Sequence, residues 1–173
     1  MADESLKVGI PMKRLGFVFV AFAWSIDQMT KSLALKGLWP PYSNGVEVLP
    51  ILNLRLGFNS GISFGLFAEN AAEAVWLLVT FKILVVALLA LWLWRTQRPI
   101  ESVALGAIIG GALGNTFDRI RHGAVVDFID LHAAGWHWPT FNMADVFIVA
   151  GAAGLIWAGI RTGPGARSHL STR

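Results

Sequence analysis

The residues best suited to chemistry lie in one stretch, VVDFIDLHAAGWHWPTFNMAD, at positions 125–145. It contains Asp127, Asp130 and Asp145, in a chain that is 55% hydrophobic and only 14% charged. Apolar residues flank Asp127, which predicts partial desolvation of its carboxylate. Two carboxylates held together in such surroundings cannot both ionise at low cost, so one keeps a proton while the other stays charged. Such a pair titrates as a unit, and aspartic proteases use one to activate water.

Simpler structural roles also fit several of these polar residues. Asn142 and Asp145 resemble a capping box at the start of a helix, and an acid in the first turn suits the helix dipole. Asp130 is interpreted as a solvated loop acid, and Asp118 with Arg119 as an ion pair at the membrane interface. Asp127 fits none of these roles, and ionisable residues inside membranes are functional by default.

The sequence gives little support to a metal site or to thiol chemistry. The chain has no cysteine, which excludes disulfides, thiolate catalysis and cysteine-bound metals. His132 and His137 are five positions apart, which does not place two ligands on one helix face, and no HExxH pattern accompanies them. We therefore expect no metal and no cofactor. Lys82 lies inside an apolar run, and the sequence suggests no function for it.

Four long apolar runs predict a polytopic, mainly α-helical membrane protein. A bilayer core of about 30 Å requires about 20 apolar residues in a helix, and the charged fraction is far below the roughly 25% of soluble domains. The net charge of +3 is too small to indicate nucleic-acid binding. We predict one domain, residues 1–173, with transmembrane helices at about 15–35, 74–94, 100–118 and 141–161.

The first run has some features of a cleaved secretory signal, namely the basic flank 12–14 and the small-x-small tripeptide 21–23. Only about six apolar residues precede that tripeptide, against the roughly 7–15 of a signal core, so an uncleaved first span is favoured. Lysines and arginines then place both termini and the second connection in the cytoplasm. The third helix therefore ends, and the fourth begins, at the outer face, which brings Asp127 and Asp145 to the same side.

The outward connection between the first two helices predicts a small β-sheet at about residues 45–68. Leu54, Leu56 and Phe58 alternate with polar or small residues, which is the period of a strand. The tripeptide Asn59–Gly61 is typical of a hairpin turn.

A stripe of glycines predicts close helix packing. Gly106, Gly110 and Gly114 follow one another at four-residue spacing, the small-xxx-small pattern of membrane helices. The fourth helix is also rich in small residues, so we expect the stripe to pack against it. That packing would fix the separation of Asp127 and Asp145.

These arguments leave two classes of function open. One is an intramembrane aspartyl hydrolase that works at the outer face. The other is a small transporter or ion-conducting bundle in which Asp27, Lys31 and the other acids form a relay. A transporter is expected to place charges through the membrane depth, often with an internal repeat. The polar residues here crowd one face, which favours the hydrolase.

Four separated blocks resemble the bacterial lipoprotein signal peptidases, or signal peptidase II, in the order of that family. They are DQMTK at 27–31, FNSGISFG at 58–65, GGALGNTFDRIRHGAVVDFID at 110–130 and PTFNMADVFI at 139–148. The resemblance implies four transmembrane helices with a small extracytoplasmic sheet. It also implies an aspartyl endopeptidase of the bacterial inner membrane that acts at the periplasmic face.

The resemblance implies a part in lipoprotein maturation: removal of the signal peptide from a prolipoprotein whose lipobox cysteine carries a diacylglyceryl group. It assigns Asp127 and Asp145 as the catalytic pair. The supporting or substrate-binding residues that it implies are Asp27, Lys31, Asn59, Gly111, Gly114, Asn115, Arg119 and Asn142. The partners would be the lipidated substrate and membrane lipids, and we expect a monomer because four spans suffice for a site.

Overall fold

Four helices and four strands form the described part of the chain, which in this computed structural model comprises residues 12–41, 45–61 and 71–162. The helices are α1 (Met12–Gly37), α2 (Ala71–Arg95), α3 (Pro99–His122) and α4 (Met143–Thr162). The strands are β1 (Val46–Leu49), β2 (Leu52–Asn59), β3 (Val125–Ala133) and β4 (Trp136–His137). Local signals set the limits of α3: a proline opens it, and Gly123, at φ 71°, caps it by donating its N–H to the carbonyl of Arg119.

Three helices in this part of the chain are long and apolar enough to cross a membrane. They are Val75–Arg95, Pro99–His122 and Met143–Arg161. The first predicted span does form a helix of 26 residues, but Asp27, Gln28 and Lys31 lower its hydropathy. The structure therefore confirms a mainly helical protein with three candidate spans, and the count of four remains a prediction.

Helix α3 is the centre of the helical layer. In its apolar window 61% of the residues are buried, against 6% in α2 and 17% in α4. Helices α1, α2 and α4 all pack against α3, which leaves their other faces for lipid. Residues that α3 directs at its neighbours are thus placed inside the protein even though the helix is of membrane type.

The predicted close packing of α3 and α4 is confirmed, but the glycine stripe of α3 faces α1 and not α4. A Cβ on Gly106 or Gly110 would collide with the α1 backbone, and one on Gly114 would collide with the Asp27 carboxylate. The face of α3 that meets α4 is set by Gly111, where a Cβ would collide with the carbonyl of Ala144. Both contacts require glycine, but they serve two different helices.

The sheet is antiparallel, with strand order β1-β2-β3-β4. The alternation predicted for the first connection is confirmed, because Leu54, Leu56 and Phe58 pack with Val126 and Phe128. Two details differ. The sheet also recruits β3 and β4 from the third connection, and a further turn, at residues 50–51, joins β1 to β2. At Asn59–Gly61 the chain does turn, because the N–H of Gly61 donates to Asn59 Oδ1 at 2.9 Å and Gly61 has a φ of 74°; whether a hairpin follows lies outside the described residues. The remainder of the predicted sheet, 62–68, lies outside the described residues.

Candidate active site

Asp127 is positioned by strand β3. It pairs with Gly57 of β2, and β3 begins three residues after α3 ends. Both faces of β3 are covered near Asp127, because residues 125–128 are all buried, and the Asp127 side chain is only 2% exposed. The apolar neighbours of Asp127 predicted that its carboxylate is desolvated. Its place on a strand that is buried on both faces explains this desolvation.

Asp145 is positioned by the capping box that begins α4. The backbone N–H of Asp145 donates to Asn142 Oδ1 at 3.1 Å, and the backbone N–H of Asn142 donates to Asp145 Oδ2 at 3.3 Å. This confirms the predicted cap. The same bonds orient the Asp145 carboxylate, so the structural role and a chemical role are compatible.

Two buried asparagines connect the two carboxylates. Asn142 Nδ2 donates to Asp127 Oδ1 at 2.6 Å and lies 3.1 Å from Asn115 Oδ1. Asn115 Nδ2 in turn donates to Asp145 Oδ1 at 2.9 Å. The second oxygen of Asp127 accepts a bond of 3.1 Å from Asn59 Nδ2. The residues predicted as a pair thus share one hydrogen-bond network.

The pKa of the Asp127 carboxyl is raised from 3.8 to about 6, chiefly by burial. The amides of Asn59 and Asn142 oppose this rise because they stabilise the ionised form, and the charge of Asp145 adds to it. Asp127 therefore accepts a proton near neutral pH far more easily than a solvated aspartate does.

A buried lysine of α1, Lys31, contacts this network through Asn115. Lys31 Nζ lies 2.9 Å from Asp27 Oδ2, 2.8 Å from Asp118 Oδ2 and 2.8 Å from Asn115 Oδ1. Its contact with Asn115 Oδ1 directs the amide Nδ2 of that asparagine toward Asp145. Asp118 was expected to pair with its neighbour in sequence at the interface, and that expectation is wrong: it pairs with Lys31 across the α1–α3 contact.

Asp27 links α1 to the start of α4. Its Oδ1 accepts the backbone N–H of Ala144 at 2.9 Å, one of the donors that a helix N-terminus leaves unsatisfied. Its Oδ2 binds Lys31, and Gly114 provides the space for the carboxylate. Sequence reasoning missed Gln28, whose Nε2 contacts both Asp27 and Asp118 at 3.1 and 3.2 Å; its place in the DQMTK block was the available signal.

Two further cationic side chains, Arg119 and Lys82, lie at the edge of this network. Arg119 is buried, and its Nη1 donates to the carbonyl of Asn115 at 3.2 Å. Among the described residues it makes no hydrogen bond to Asp127 or Asp145. Lys82 is half-buried on α2, and the charges that act on it include Arg119 and Asp145. Both cations thus contribute a positive field to the site.

Asp130 is not the solvated loop acid that the sequence suggested. It lies on β3, is 2% exposed, and both of its oxygens face His137 Nδ1, at 2.8 and 3.0 Å. His137 also stacks on His132, with ring centroids 5.1 Å apart. In the described ranges no group of three or more His, Cys, Asp or Glu side chains is arranged to hold a metal ion.

Comparison with known proteins decides the family. A family model described as signal peptidase (SPase) II matches residues 19–161. The chain belongs to the signal peptidase II family. This membership confirms the resemblance seen in the four sequence blocks, makes the chain a protease by family, and favours the hydrolase over the transporter.

Individual relatives give the same result. A lipoprotein signal peptidase of Methylobacterium sp. (strain 4-46) is 42% identical over 142 residues, which cover 82% of this chain and 86% of the relative. One from Rhodopseudomonas palustris is 40% identical over 159 residues, covering 90% and 97%. A solved bacterial membrane enzyme shares the fold with a TM-score of 0.73 and 26% identity, covering 86% of this chain and 94% of that one.

Proposed function

We propose that the chain is an aspartyl endopeptidase that removes the signal peptide from diacylglyceryl-modified prolipoproteins at the lipobox cysteine. The substrate class follows from the names of the relatives. The observation that carries the aspartyl mechanism is the network in which Asn142 and Asn115 connect the carboxylates of Asp127 and Asp145. It offers two acids in different surroundings, which general acid–base hydrolysis requires.

In the proposed reaction Asp127 holds the proton and Asp145 is ionised. Asp145 accepts a proton from water as the water oxygen attacks the scissile carbonyl carbon, and Asp127 donates its proton to the carbonyl oxygen. The tetrahedral intermediate then returns that proton to Asp127, Asp145 protonates the amide nitrogen, and the C–N bond breaks. The raised pKa of Asp127 supports this assignment, because burial favours its neutral form.

The supporting residues act by orienting these two acids. Asn59 and Asn142 hold the two oxygens of Asp127, and Asn115 holds Asp145. Lys31 orients Asn115, with Asp27 as its counterion. For the other three family residues we propose that Arg119 adds positive field at the site, and that Gly111 and Gly114 allow α4 and Asp27 to approach α3.

We further propose an arrangement of four spans in the bacterial inner membrane, with α1 as the first, both termini cytoplasmic and the site at the periplasmic face. The excess of lysine and arginine in the termini and the second connection supports it. Asp127 follows the end of α3 and Asp145 lies in the first turn of α4, so one membrane face holds both acids. A single chain supplies both, which is consistent with a monomer.

Two aspartate variants test the proposal. Asp127→Asn and Asp145→Asn should each lower cleavage of a purified diacylglyceryl prolipoprotein by at least about a thousandfold, since each removes a proton-transfer group. Asp130→Asn is the matched control in the same strand, and it should retain turnover within about tenfold. Melting in detergent and membrane insertion should stay near those of the unmodified chain. Substantial turnover by either catalytic variant would contradict the assignment.

A further inference from the structure

The face of α2 that packs against α3 contains a charged side chain. Along residues 75–95 the side chains withdrawn from the surroundings recur every three or four positions, which is the spacing of one helix face; they include Leu78, Lys82, Val86 and Leu89. Val86 and Leu89 pack with Leu105 of α3. Within residues 75–95, Lys82 is the one charge on this face, so it projects from the packed side of the helix.

Lys82 lies in the apolar layer, on the membrane side of the proposed site. In the candidate span Val75–Arg95 it is about 10 Å from the first residue and about 20 Å from the last. Leu78, about 6 Å nearer the start of the helix, reaches the site. A Cβ added to Gly61 would lie 2.9 Å from Arg119 Nη2 and 3.4 Å from Leu78 Cδ1. Lys82 is therefore about one helical turn deeper than the point where Arg119 meets α2.

The ammonium group of Lys82 has no partner among the described residues, where it forms neither a hydrogen bond nor a salt bridge. Lys31, the other lysine within the helical layer, contacts Asp27, Asp118 and Asn115. The charges that act on Lys82 are those of Arg119 and Lys31, which repel it, and of Asp145, which attracts it. A cation at membrane depth is costly and is normally paired or functional. Its three N–H donors are thus available to a molecule that enters from the membrane.

The end of a membrane helix supplies the complementary groups. The last four carbonyls of a helix lack intrahelical partners and carry the negative end of its dipole. Within lipid, each unsatisfied backbone group costs several kcal/mol. A helix that ends beside Lys82 would therefore gain both hydrogen bonds and a favourable charge.

We propose that Lys82 is a specificity-determining residue that donates hydrogen bonds to the backbone carbonyls at the C-terminal end of the substrate's signal peptide. The inference rests on the proposed function. The apolar core of a signal peptide precedes the cleavage site, so the scissile bond follows the end of the membrane segment. When that bond reaches Asp127 and Asp145, the carbonyls just before it lie on the membrane side of the pair, at the level of Lys82.

Replacing the lysine is the first test. With a purified diacylglyceryl prolipoprotein, Lys82→Met should raise KM about tenfold and leave kcat within about threefold, because it removes binding and not a proton-transfer group. Lys82→Arg should restore KM to within about threefold, since its guanidinium also donates N–H groups. Arg95→Met, which removes an exposed cation at the end of the same helix, is the control and should change neither constant.

Two outcomes of this test would overturn the proposal. One is an unchanged KM for Lys82→Met. The other is a loss in kcat alone with a displaced pH profile, because the lysine would then act on Asp145 and not on the substrate. Melting in detergent should be at least as high for Lys82→Met as for the unmodified chain, since methionine at this depth removes the cost of an intramembrane charge.

Esters in the substrate provide the second test. The second, third and fourth amide bonds before the scissile bond are replaced by esters one at a time, which weakens each carbonyl as an acceptor. At one position or more, the ester should raise KM about fivefold for the unmodified chain and less than twofold for Lys82→Met, the non-additivity of a direct contact. Equal effects on both enzymes at every position would overturn the contact. Failure of the unmodified chain to cleave the all-amide substrate would instead refute the proposed function.

Discussion

The strand side and the helix side of the site hold their carboxylates in different ways. Asp127, on β3, is 2% exposed and is bound by two side-chain amides. Asp145, on α4, is partly exposed and is bound by a backbone N–H and one amide. Identical side chains thus experience unequal desolvation.

This difference is the basis on which the proposed reaction gives two chemically equal groups opposite roles. Desolvation disfavours the charged form, and the carboxyl with the more complete burial, Asp127, is the one whose pKa is raised to about 6. Asp145 lies at the rim of the site, in the first turn of α4, and is the ionised member of the pair in the proposed reaction. In the proposed reaction, the backbone element that carries each acid therefore specifies whether it donates or accepts the proton.

The largest expected loss is in stability, from replacing Lys31, the buried cation that contacts Asn115 on the helix side of the site. Lys31→Met would leave the buried carboxylates of Asp27 and Asp118 without their counterion, which should destabilise the fold by about 3–5 kcal/mol. Lys36→Met, at an exposed position of the same helix, is the control. Thermal unfolding in detergent should separate the two variants, and equal melting temperatures would show that the buried contacts contribute nothing.

A smaller effect should separate the two amides that hold the strand side. Asn142→Ala removes a fully buried donor and half of the capping box, so kcat/KM should fall about a hundredfold; Asn59→Ala removes an exposed donor, and the fall should be about tenfold. Steady-state cleavage of the lipidated substrate measures both. A deeper loss for Asn59 would mean that the outer amide dominates the orientation of Asp127.

The smallest predicted effect is a displacement of the pH profile. Asp127 is protonated below its pKa of about 6, so kcat/KM should decline above about pH 6, approaching tenfold per pH unit. The Asn59 amide stabilises the ionised form and lowers this pKa. Asn59→Ala should therefore move the alkaline limb to higher pH, whatever its effect on the maximum. If the acid limb moves to higher pH instead and the alkaline limb stays in place, Asp127 is the proton acceptor and the assignment is reversed.

Features that depend on local sequence were predictable. The predicted spans 74–94 and 100–118 fall within α2 and α3, because an apolar run of that length specifies a helix by itself. The Asn142–Asp145 cap follows from a spacing of three residues. The alternation that buries Leu56 is equally local, since a strand repeats every two residues.

Features that depend on contacts distant in sequence were not predictable from patterns. Lys31 and Asp118 are on different helices. The spacing of residues along α3 does not reveal whether Asp118 or its neighbour Arg119 faces α1. Strand β3 was not predicted, because Val125–Phe128 is buried on both faces and shows no alternation. The burial of Asp130 follows from the hairpin, so the error about that residue has the same origin.

The capping box of α4 has a consequence for the order in which the site assembles during synthesis. The bonds that begin this helix are the same bonds that orient Asp145, and the N–H of Ala144 donates to Asp27, far upstream in the sequence. During synthesis α4 emerges after every other described element. On the proposed assignment, the pair of acids is therefore incomplete until α4 docks against α1 and α3.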